Sequence, residues 1–368
     1  MIRVLLSAGA KVNLQEEGGA SPLHVACFEG HTEVVCVLLS EGAEVDLPRN
    51  SDGGRPLHAA CHSGHVGVVR ALLSGGAKLD LQNTAGLSPL HVACQEDRIG
   101  VVRALLSAGA QANLQTVSGY SPLHAACQED HAEVVLALLS GGAQVDLQTM
   151  EGTSPQNENG QSPLHMACLN GGHAEVVCAL LSGGAKADIQ ASNGMTPLQV
   201  ACIKVYPDVV RALLSGGAKV NLQTTIGVSA LHVACRCGHT GVVCALLSAG
   251  AKVNLLADGG VSPLFEACAN GFTEVVHALL SAGAKVDAKV ERFVQQAEME
   301  RGSVMSANQL QAANQVKAAS EDCGDGSSEG PGGLSAEASS SSGGASSERV
   351  CSMCGGPPTP SSTGAAKL

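Results

Sequence analysis

Aromatic residues are scarce in this chain of 368 residues, which has no tryptophan, two tyrosines and four phenylalanines. Any hydrophobic core must therefore be built mainly from Leu, Val, Ala and Cys. No run of 18 apolar residues occurs, so the sequence predicts no membrane-spanning helix. The opening residues also lack the basic and then apolar pattern of a secretory signal.

Basic residues are in the minority: 21 Lys and Arg face 33 Asp and Glu, which gives a formal net charge of −12. Binding to nucleic-acid phosphates needs clustered Lys and Arg. The sequence therefore predicts no nucleic-acid partner. Its acidic surface either favours basic protein partners or simply confers solubility.

No set of residues typical of catalysis stands out. The chain has 13 histidines, but its sequence shows no nucleophile–base signature, glycine-rich phosphate loop or paired carboxylates. We therefore expect a protein that is not an enzyme and whose main body needs no cofactor.

What the sequence does contain is a repeat. The copy at 88–110 reads S-P-L-H-V-A-C, then Q-E-D-R-I-G, then V-V-R-A-L-L-S-A-G-A. Its cysteine returns every 33 or 34 residues, with one gap of 41, at Cys27, Cys61, Cys94, Cys127, Cys168, Cys202, Cys235 and Cys268. A period near 33 is typical of stacked supersecondary units that bury their apolar faces against one another.

Each unit has the pattern of two short helices. Ser88 is a suitable N-cap, and Pro89 fits the first helical position, where its missing N–H costs nothing. An apolar stripe follows at Leu90, Ala93 and Cys94. The second helix has its own stripe and ends at a glycine: Val101, Val102, Leu105, Leu106 and then Gly109. A polar stretch with a glycine tip separates the units and predicts a hairpin-like finger.

This pattern resembles the ankyrin repeat, whose signature is T-P-L-H-x-A followed by a second helix and a Gly-Ala turn, over roughly residues 1–288. The resemblance implies an all-α solenoid of stacked helix-turn-helix units with hairpin-like finger loops, and a role in binding other proteins. It also implies that the motif histidines are structural hydrogen-bonding groups that tie neighbouring units together. Those histidines are His24, His58, His91, His124, His165 and His232.

The array is expected to span 1–290, with a partial first unit, eight full units and an insertion near 150–157. A helical extension at 291–318 and a disordered Ser/Gly-rich linker at 319–350 are expected to follow. Because the first unit has only its second helix, we expect the chain to be a fragment. The unit at 192–224 is the least regular, because a β-branched residue, Val205, stands where other units have glycine or aspartate, so distortion is expected there.

The eight motif cysteines occupy one position of the repeat. Packed helices lie roughly 10 Å apart, which exceeds the Cα separation of about 7 Å that a disulfide can bridge. We therefore expect reduced, buried thiols and a cytoplasmic or nuclear location.

A separate cysteine pair lies near the end of the chain. The run E-R-V-C-S-M-C-G-G, with Cys351 and Cys354, resembles the opening of a MYND-type zinc finger. Two thiolates at this spacing supply half of a tetrahedral zinc site. Residues 351–368 are therefore either a truncated zinc finger, which would bind zinc only if completed in a longer chain, or an ordinary C-x-x-C pair.

Two groups of residues are candidates for partner binding. One is the apolar residue that follows each finger glycine, expected to form an exposed strip or else to pack on the neighbouring finger: Leu87, Tyr120, Met195, Val228 and Val261. The other is a polar and acidic patch on two adjacent first helices, expected to bind a partner or else to be merely solvated: Gln95, Glu96, Gln128 and Glu129.

The sequence thus predicts a monomeric interaction scaffold or adaptor that binds a partner protein through concave helix faces and fingers. Two alternatives stay open. The array could be the targeting arm of a multidomain enzyme, such as a kinase, ubiquitin ligase or methyltransferase, or it could be part of a zinc-finger regulatory adaptor.

Overall fold

The protein forms an all-helical solenoid, as the sequence predicts. The structure is a computed structural model that describes residues 2–150, 160–170, 173–299 and 306–322. Within these ranges the only β-type pairing is two isolated bridges, Gln223 with Ser229 and Ala257 with Val261. The predicted Ser/Gly-rich linker beyond 322, the candidate zinc finger and residues 151–157 of the insertion lie outside the described residues.

The helices alternate between two layers. The first helices of the units are α2 (Pro22–Phe28), α4 (Pro56–Ser63), α6 (Pro89–Gln95), α8 (Pro122–Gln128), α10 (Pro163–Asn170), α12 (Pro197–Lys204), α14 (Ala230–Cys237) and α16 (Pro263–Asn270). The second helices are α1 (Ile2–Ser7), α3 (Thr32–Ser40), α5 (Val66–Ser74), α7 (Ile99–Ser107), α9 (Ala132–Ser140), α11 (Ala174–Ser182), α13 (Pro207–Ser215), α15 (Thr240–Ser248) and α17 (Thr273–Ser281). First helices pack on first helices and second helices on second helices, unit after unit.

Most first helices begin at a capping box. In α6, Ser88 Oγ accepts a hydrogen bond from the His91 backbone N–H at 3.4 Å, and His91 Nδ1 accepts one from the Ser88 N–H at 3.2 Å. Pro89 fills the first helical position. The first four motif residues therefore fix both the start of the helix and the orientation of the histidine ring.

The core is the continuous seam between the two layers. Leu90, Ala93 and Cys94 of α6 have no exposed surface, and neither does Leu105 of α7. Leu106, the next residue of the predicted stripe, is half-buried and packs at the edge of the seam. Its side chain reaches the next second helix beside Gly141, where a Cβ atom would lie 3.0 Å from Leu106 Cδ1.

The distortion expected in the unit at 192–224 is confined to one residue. Val205 has φ 62° and ψ 51°, the left-handed conformation that Gly64 and Gly238 adopt at the same position. A β-branched residue is strained in this region. Helices α12 and α13 nevertheless have the same lengths as their counterparts α4 and α5.

Two further helices, α18 (Ala288–Met299) and α19 (Ala307–Asp322), lie against the last unit. Phe265 of α16, which replaces the motif histidine, packs edge-on against Phe293 of α18 with ring centroids 6.2 Å apart. Gln309 of α19 donates from Nε2 to the Ala269 carbonyl at 2.6 Å. Helix α19 thus continues the hydrogen bonding of the array beyond the last full unit.

Candidate interaction surface

The motif histidines tie each unit to the next, as the resemblance implies. His91 Nδ1 accepts from the Ser88 backbone N–H, so the ring proton lies on Nε2, which donates to the Tyr120 carbonyl of the next unit at 3.1 Å. The same cross-unit hydrogen bond is made by His24, His58, His124, His165 and His232. These rings are committed to the scaffold and are not free for catalysis.

Burial keeps these imidazoles neutral. It lowers the pKa of His58, His91, His124 and His165 from 6.5 to about 4, because a charged ring would lose its hydration. Protonation would also add a hydrogen to Nδ1. That N–H would then face the backbone N–H of the N-cap serine, from which Nδ1 accepts in the neutral ring. Nothing at these positions provides a general base for substrate.

Gln199 shows which chemistry the position requires. Its Oε1 accepts from the Thr196 N–H at 2.7 Å, and its Nε2 donates to the Val228 carbonyl at 2.8 Å. One acceptor and one donor on the terminal group of the side chain are therefore sufficient. Phe265 is the other residue that replaces the motif histidine. The segment after its unit has no further finger whose carbonyl could accept the cross-unit hydrogen bond.

Two further hydrogen-bond ladders were missed from the sequence. In the first, Gln82 Nε2 donates to the Gly86 carbonyl of its own finger at 2.6 Å and to the Gln115 carbonyl of the next at 2.9 Å. The same pair of bonds recurs at Gln15, Gln115, Gln148, Gln190 and Gln223. The regular return of this glutamine, about 20 residues after five of the eight motif cysteines, was the available signal.

In the second ladder, an Asn or Asp side chain accepts from the backbone N–H about one repeat later. Asn113 Oδ1 accepts from Gln144 N–H at 2.7 Å, and Asp188 Oδ1 from Lys219 N–H at 2.7 Å. The Asn and Asp side chains of this ladder thus hold neighbouring fingers and turns in fixed register. From composition alone they would be counted as surface residues.

The motif cysteines are buried and free, without disulfides. Burial raises the pKa of the Cys27 and Cys268 thiols to about 12, and it raises the pKa of the other six motif thiols as well. A buried neutral thiol is neither a nucleophile nor a metal ligand. Exposed thiols lie instead on second helices, at Cys36, Cys178 and Cys244.

The strip of exposed apolar residues after the finger glycines is not observed. Leu87, Tyr120, Met195, Val228 and Val261 are all half-buried. Tyr120 lies with its ring centroid 5.5 Å from that of His124, and its hydroxyl contacts Met166 Sδ at 3.8 Å. These side chains lean into the array because their own carbonyls accept the histidine or glutamine bond from the preceding unit. A binding role for them remains a prediction.

The polar patch lies where it was predicted, at the ends of α6 and α8. Gln95 and Glu129 are exposed, and Glu96 lies 3.7 Å from His62 Nε2 on the preceding unit. Gln128 is half-buried and donates to Glu129 at 3.1 Å. The patch is accessible but already has partners within the array.

Other apolar side chains of the fingers face solvent, two residues before the finger glycine at Val117 and one residue before it at Ile226. Val117 is 76% exposed and Met150 is 59% exposed, on adjacent fingers whose backbones meet through the Met150 N–H and the Ser118 carbonyl at 3.0 Å. Ile226, at the later finger, is also exposed. These positions vary in chemistry from unit to unit, which is what a recognition surface requires.

Neither a metal centre nor a membrane span is found in the described part of the chain. None of its His, Cys, Asp and Glu residues form a group of three able to hold a metal ion. None of its helices is long and apolar enough to cross a bilayer. Cys351 and Cys354 lie outside the described residues, so the zinc site stays a prediction.

Fold and surface together define a stacked helical repeat protein with solvent-facing fingers. The family model for ankyrin repeats (3 copies) matches residues 1–83, 67–149, 147–224 and 206–290. The chain belongs to the ankyrin-repeat family. The crystal structure of the human ASB11 ankyrin repeat domain superposes with a TM-score of 0.55 at 31% identity, covering 63% of this chain and 99% of that one.

Two curated relatives are similar over a short stretch. Protein phosphatase 1 regulatory subunit 27 of Homo sapiens is 38% identical over 52 residues, and that of Mus musculus is 36% identical over 52. The match covers 14% of this chain and 33% of each relative. The chain thus spans about a third of the length of these relatives.

Proposed function

We propose that this chain is a non-enzymatic scaffold or adaptor that binds a partner protein through its finger loops and the concave faces of its first helices. One observation carries the proposal. Residues that recur from unit to unit, such as His91 and Gln82, make hydrogen bonds within the array. Residues that differ between units, such as Val117 and Met150, face solvent. A rigid frame with a variable surface suits protein recognition.

The buried histidines and thiols that could have supplied acid, base or nucleophile are neutral and occupied. A reducing location in the cytoplasm or nucleus accords with eight unpaired thiols in the core.

The names of the two curated relatives suggest one candidate partner, protein phosphatase 1. The similarity covers only a third of each relative, so the suggestion concerns a short stretch of this chain. Purified phosphatase catalytic subunit is therefore the first partner to test, alongside partners identified by cross-linking from cell extract.

The test compares surface variants against a purified partner. Val117→Asp and Met150→Asp on the fingers should each lower affinity about tenfold, the loss of a moderate hot spot. Leu136→Asp, an exposed leucine on the second helix α9 and away from the fingers and first helices, serves as the matched control and should bind like the parent. Melting temperatures of all three should stay close to the parent because each replaced side chain is exposed. Equal affinity of both finger variants and the parent for every partner would contradict the proposal.

A further inference from the structure

The turn that follows α12, inside the array, lacks a hydrogen bond that other units make. His65, which precedes the second helix α5, donates from Nε2 to the Phe28 carbonyl at the end of the preceding first helix, at 3.1 Å. Arg98 and His131 make the same bond at their own junctions. His239 has the equivalent place after α12, but its ring makes no hydrogen bond in the described part of the chain. The Ile203 carbonyl therefore receives no donor from the next unit.

A second backbone bond is missing at the same turn. The Gly64 carbonyl accepts from the Val66 N–H at 3.1 Å, whereas Val205, at the position of Gly64, is followed two residues later by Pro207, which has no N–H. Val205 is also left-handed, with φ 62°, and 38% exposed. Backbone strain of this kind is typical of functional sites. The turn thus offers two backbone acceptors beside an apolar side chain that faces solvent.

Two basic side chains flank this turn. Lys204 directly precedes Val205, and Arg236 lies near the end of α14, which packs on α12. No other unit has Lys or Arg at either of these two positions of its first helix. The residues equivalent to Lys204 in three earlier units are acidic: Glu29, Glu96 and Glu129. In a chain with a net charge of −12, the sign of the surface is therefore reversed at this turn.

Neither basic group forms an ion pair within the described part of the array. Arg236 Nε is buried and has no hydrogen-bond partner there. Burial raises the pKa of Glu266 on α16, and the charge of Arg236 only partly opposes this effect. Asp208, at the start of α13, is paired with Arg211 and not with Lys204. The positive charge at the end of α12 is thus left for a partner to neutralise.

We propose that the α12 surface, formed by Ile203, Lys204, Val205 and Arg236, is a docking site for an acidic segment of a partner protein that carries one apolar side chain. Carboxylates of the segment contact the two basic groups, its apolar side chain covers Val205, and its backbone N–H groups donate to the carbonyls of the turn. This inference rests on the proposed scaffold role and adds to it a second surface, at the ends of the first helices remote from the fingers.

Charge complementarity decides the occupant. A second copy of the chain carries the same net charge of −12 and would be repelled. A phosphate backbone would match the two basic groups, but it has no use for the exposed valine or for backbone acceptors. An acidic peptide segment matches all three features.

The probe is a fluorescein-labelled peptide of Asp and Glu around a single Leu. Titrating the full-length chain into it should give a saturable rise in fluorescence anisotropy that weakens as salt is added. Lys204→Glu and Arg236→Gln should each weaken binding at least about fivefold. Lys252→Glu, which makes the same charge change as Lys204→Glu on an exposed turn of another unit, should change it less than about twofold.

Val205→Gly separates a binding role from a structural one. It removes the strain and the apolar side chain together, so it should raise the melting temperature while weakening peptide binding severalfold. A valine with only a structural role would not alter the affinity. Absence of saturable binding, equal loss in Lys204→Glu and Lys252→Glu, or parent-like binding by Val205→Gly would overturn the proposal.

Zero-length cross-linking of the chain alone tests a different occupant. Cross-links from Lys204 to the acidic residues of 321–337 within one chain would assign the surface to the chain's own tail and overturn the partner segment. The finger variants Val117→Asp and Met150→Asp should bind the peptide like the parent. Failure of the peptide to bind would therefore leave the finger-binding test of the proposed function unaffected.

Discussion

The buried motif histidines should make the array sensitive to mild acid. In the unfolded chain these rings titrate near 6.5, whereas in the folded array burial lowers the pKa of His58, His91, His124 and His165 to about 4. Between these values the unfolded state binds protons that the folded state does not. Stability contributed by neutral rings is therefore complete above pH 6.5 and is lost as the pH falls toward 4.

The size of the effect follows from the two pKa values. At pH 5, each such histidine lowers the free energy of unfolding by about 2 kcal/mol relative to neutral pH. Four of them together lower it by about 8 kcal/mol, a large part of the stability of a typical domain. We expect the urea midpoint to fall steeply between pH 7 and pH 5.

His124→Gln isolates one titrating group. Gln199 shows that glutamine can make both bonds of the position, so at pH 7.5 the variant should lie within about 1 kcal/mol of the parent. At pH 5 it should be more stable than the parent by about 2 kcal/mol, because it has one proton fewer to bind on unfolding. His124→Ala, which leaves the Gln161 carbonyl without its buried donor, should be destabilised at both pH values.

The measurement is urea unfolding followed by far-UV circular dichroism at pH 7.5, 6 and 5, with His277→Gln on an exposed helix face as the control. If His124→Gln loses stability with falling pH as steeply as the parent and the control, the motif histidines are not the groups responsible. The reasoning about their burial would then be wrong.

Three further predictions concern the core and the backbone. Leu105→Ala should lower the free energy of unfolding by ~2–5 kcal/mol, because the side chain has no exposed surface, and half-buried Leu106→Ala should cost less; equal urea midpoints for the two variants would contradict the described seam. Val205→Gly should raise the melting temperature, because relief of the left-handed strain, ~1–2 kcal/mol, exceeds the glycine entropy cost of ~0.5–1 kcal/mol; a lower melting temperature would show that the valine is not strained. Under native conditions a thiol reagent should label Cys36, Cys178 and Cys244 well before any motif cysteine, as peptide mass spectrometry can show, and rapid labelling of Cys94 would refute its burial.

The local sequence of each unit was enough to predict its two helices. Ser88, Pro89 and the stripe through Cys94 act within a single turn or two, and the glycine caps act within one residue, so their effects can be deduced from neighbours in sequence. The resemblance to a repeat family then supplied the stacking and the role of the histidines. The family and the all-helical fold were therefore predictable, and both are confirmed.

The exposure and hydrogen bonding of side chains that contact the neighbouring unit could not be predicted in the same way. The sequence left open whether Tyr120 and Leu87, which follow a finger glycine, are exposed or pack on the neighbouring finger. The next unit determines that they lean inward and that Val117 faces solvent. The glutamine ladder and the Asn/Asp ladder join residues about 31–33 positions apart in the sequence. A pattern within one helix or turn cannot reveal a hydrogen bond over that separation. Val25 and Val200 have the same sequence context, but Val25 is 53% exposed and Val200 1% exposed, because a first helix of the preceding unit packs against α12. Sequence determined the unit, because its helices are stabilised by local caps and stripes; only the stacked structure determined the surface, because exposure depends on what lies across each junction.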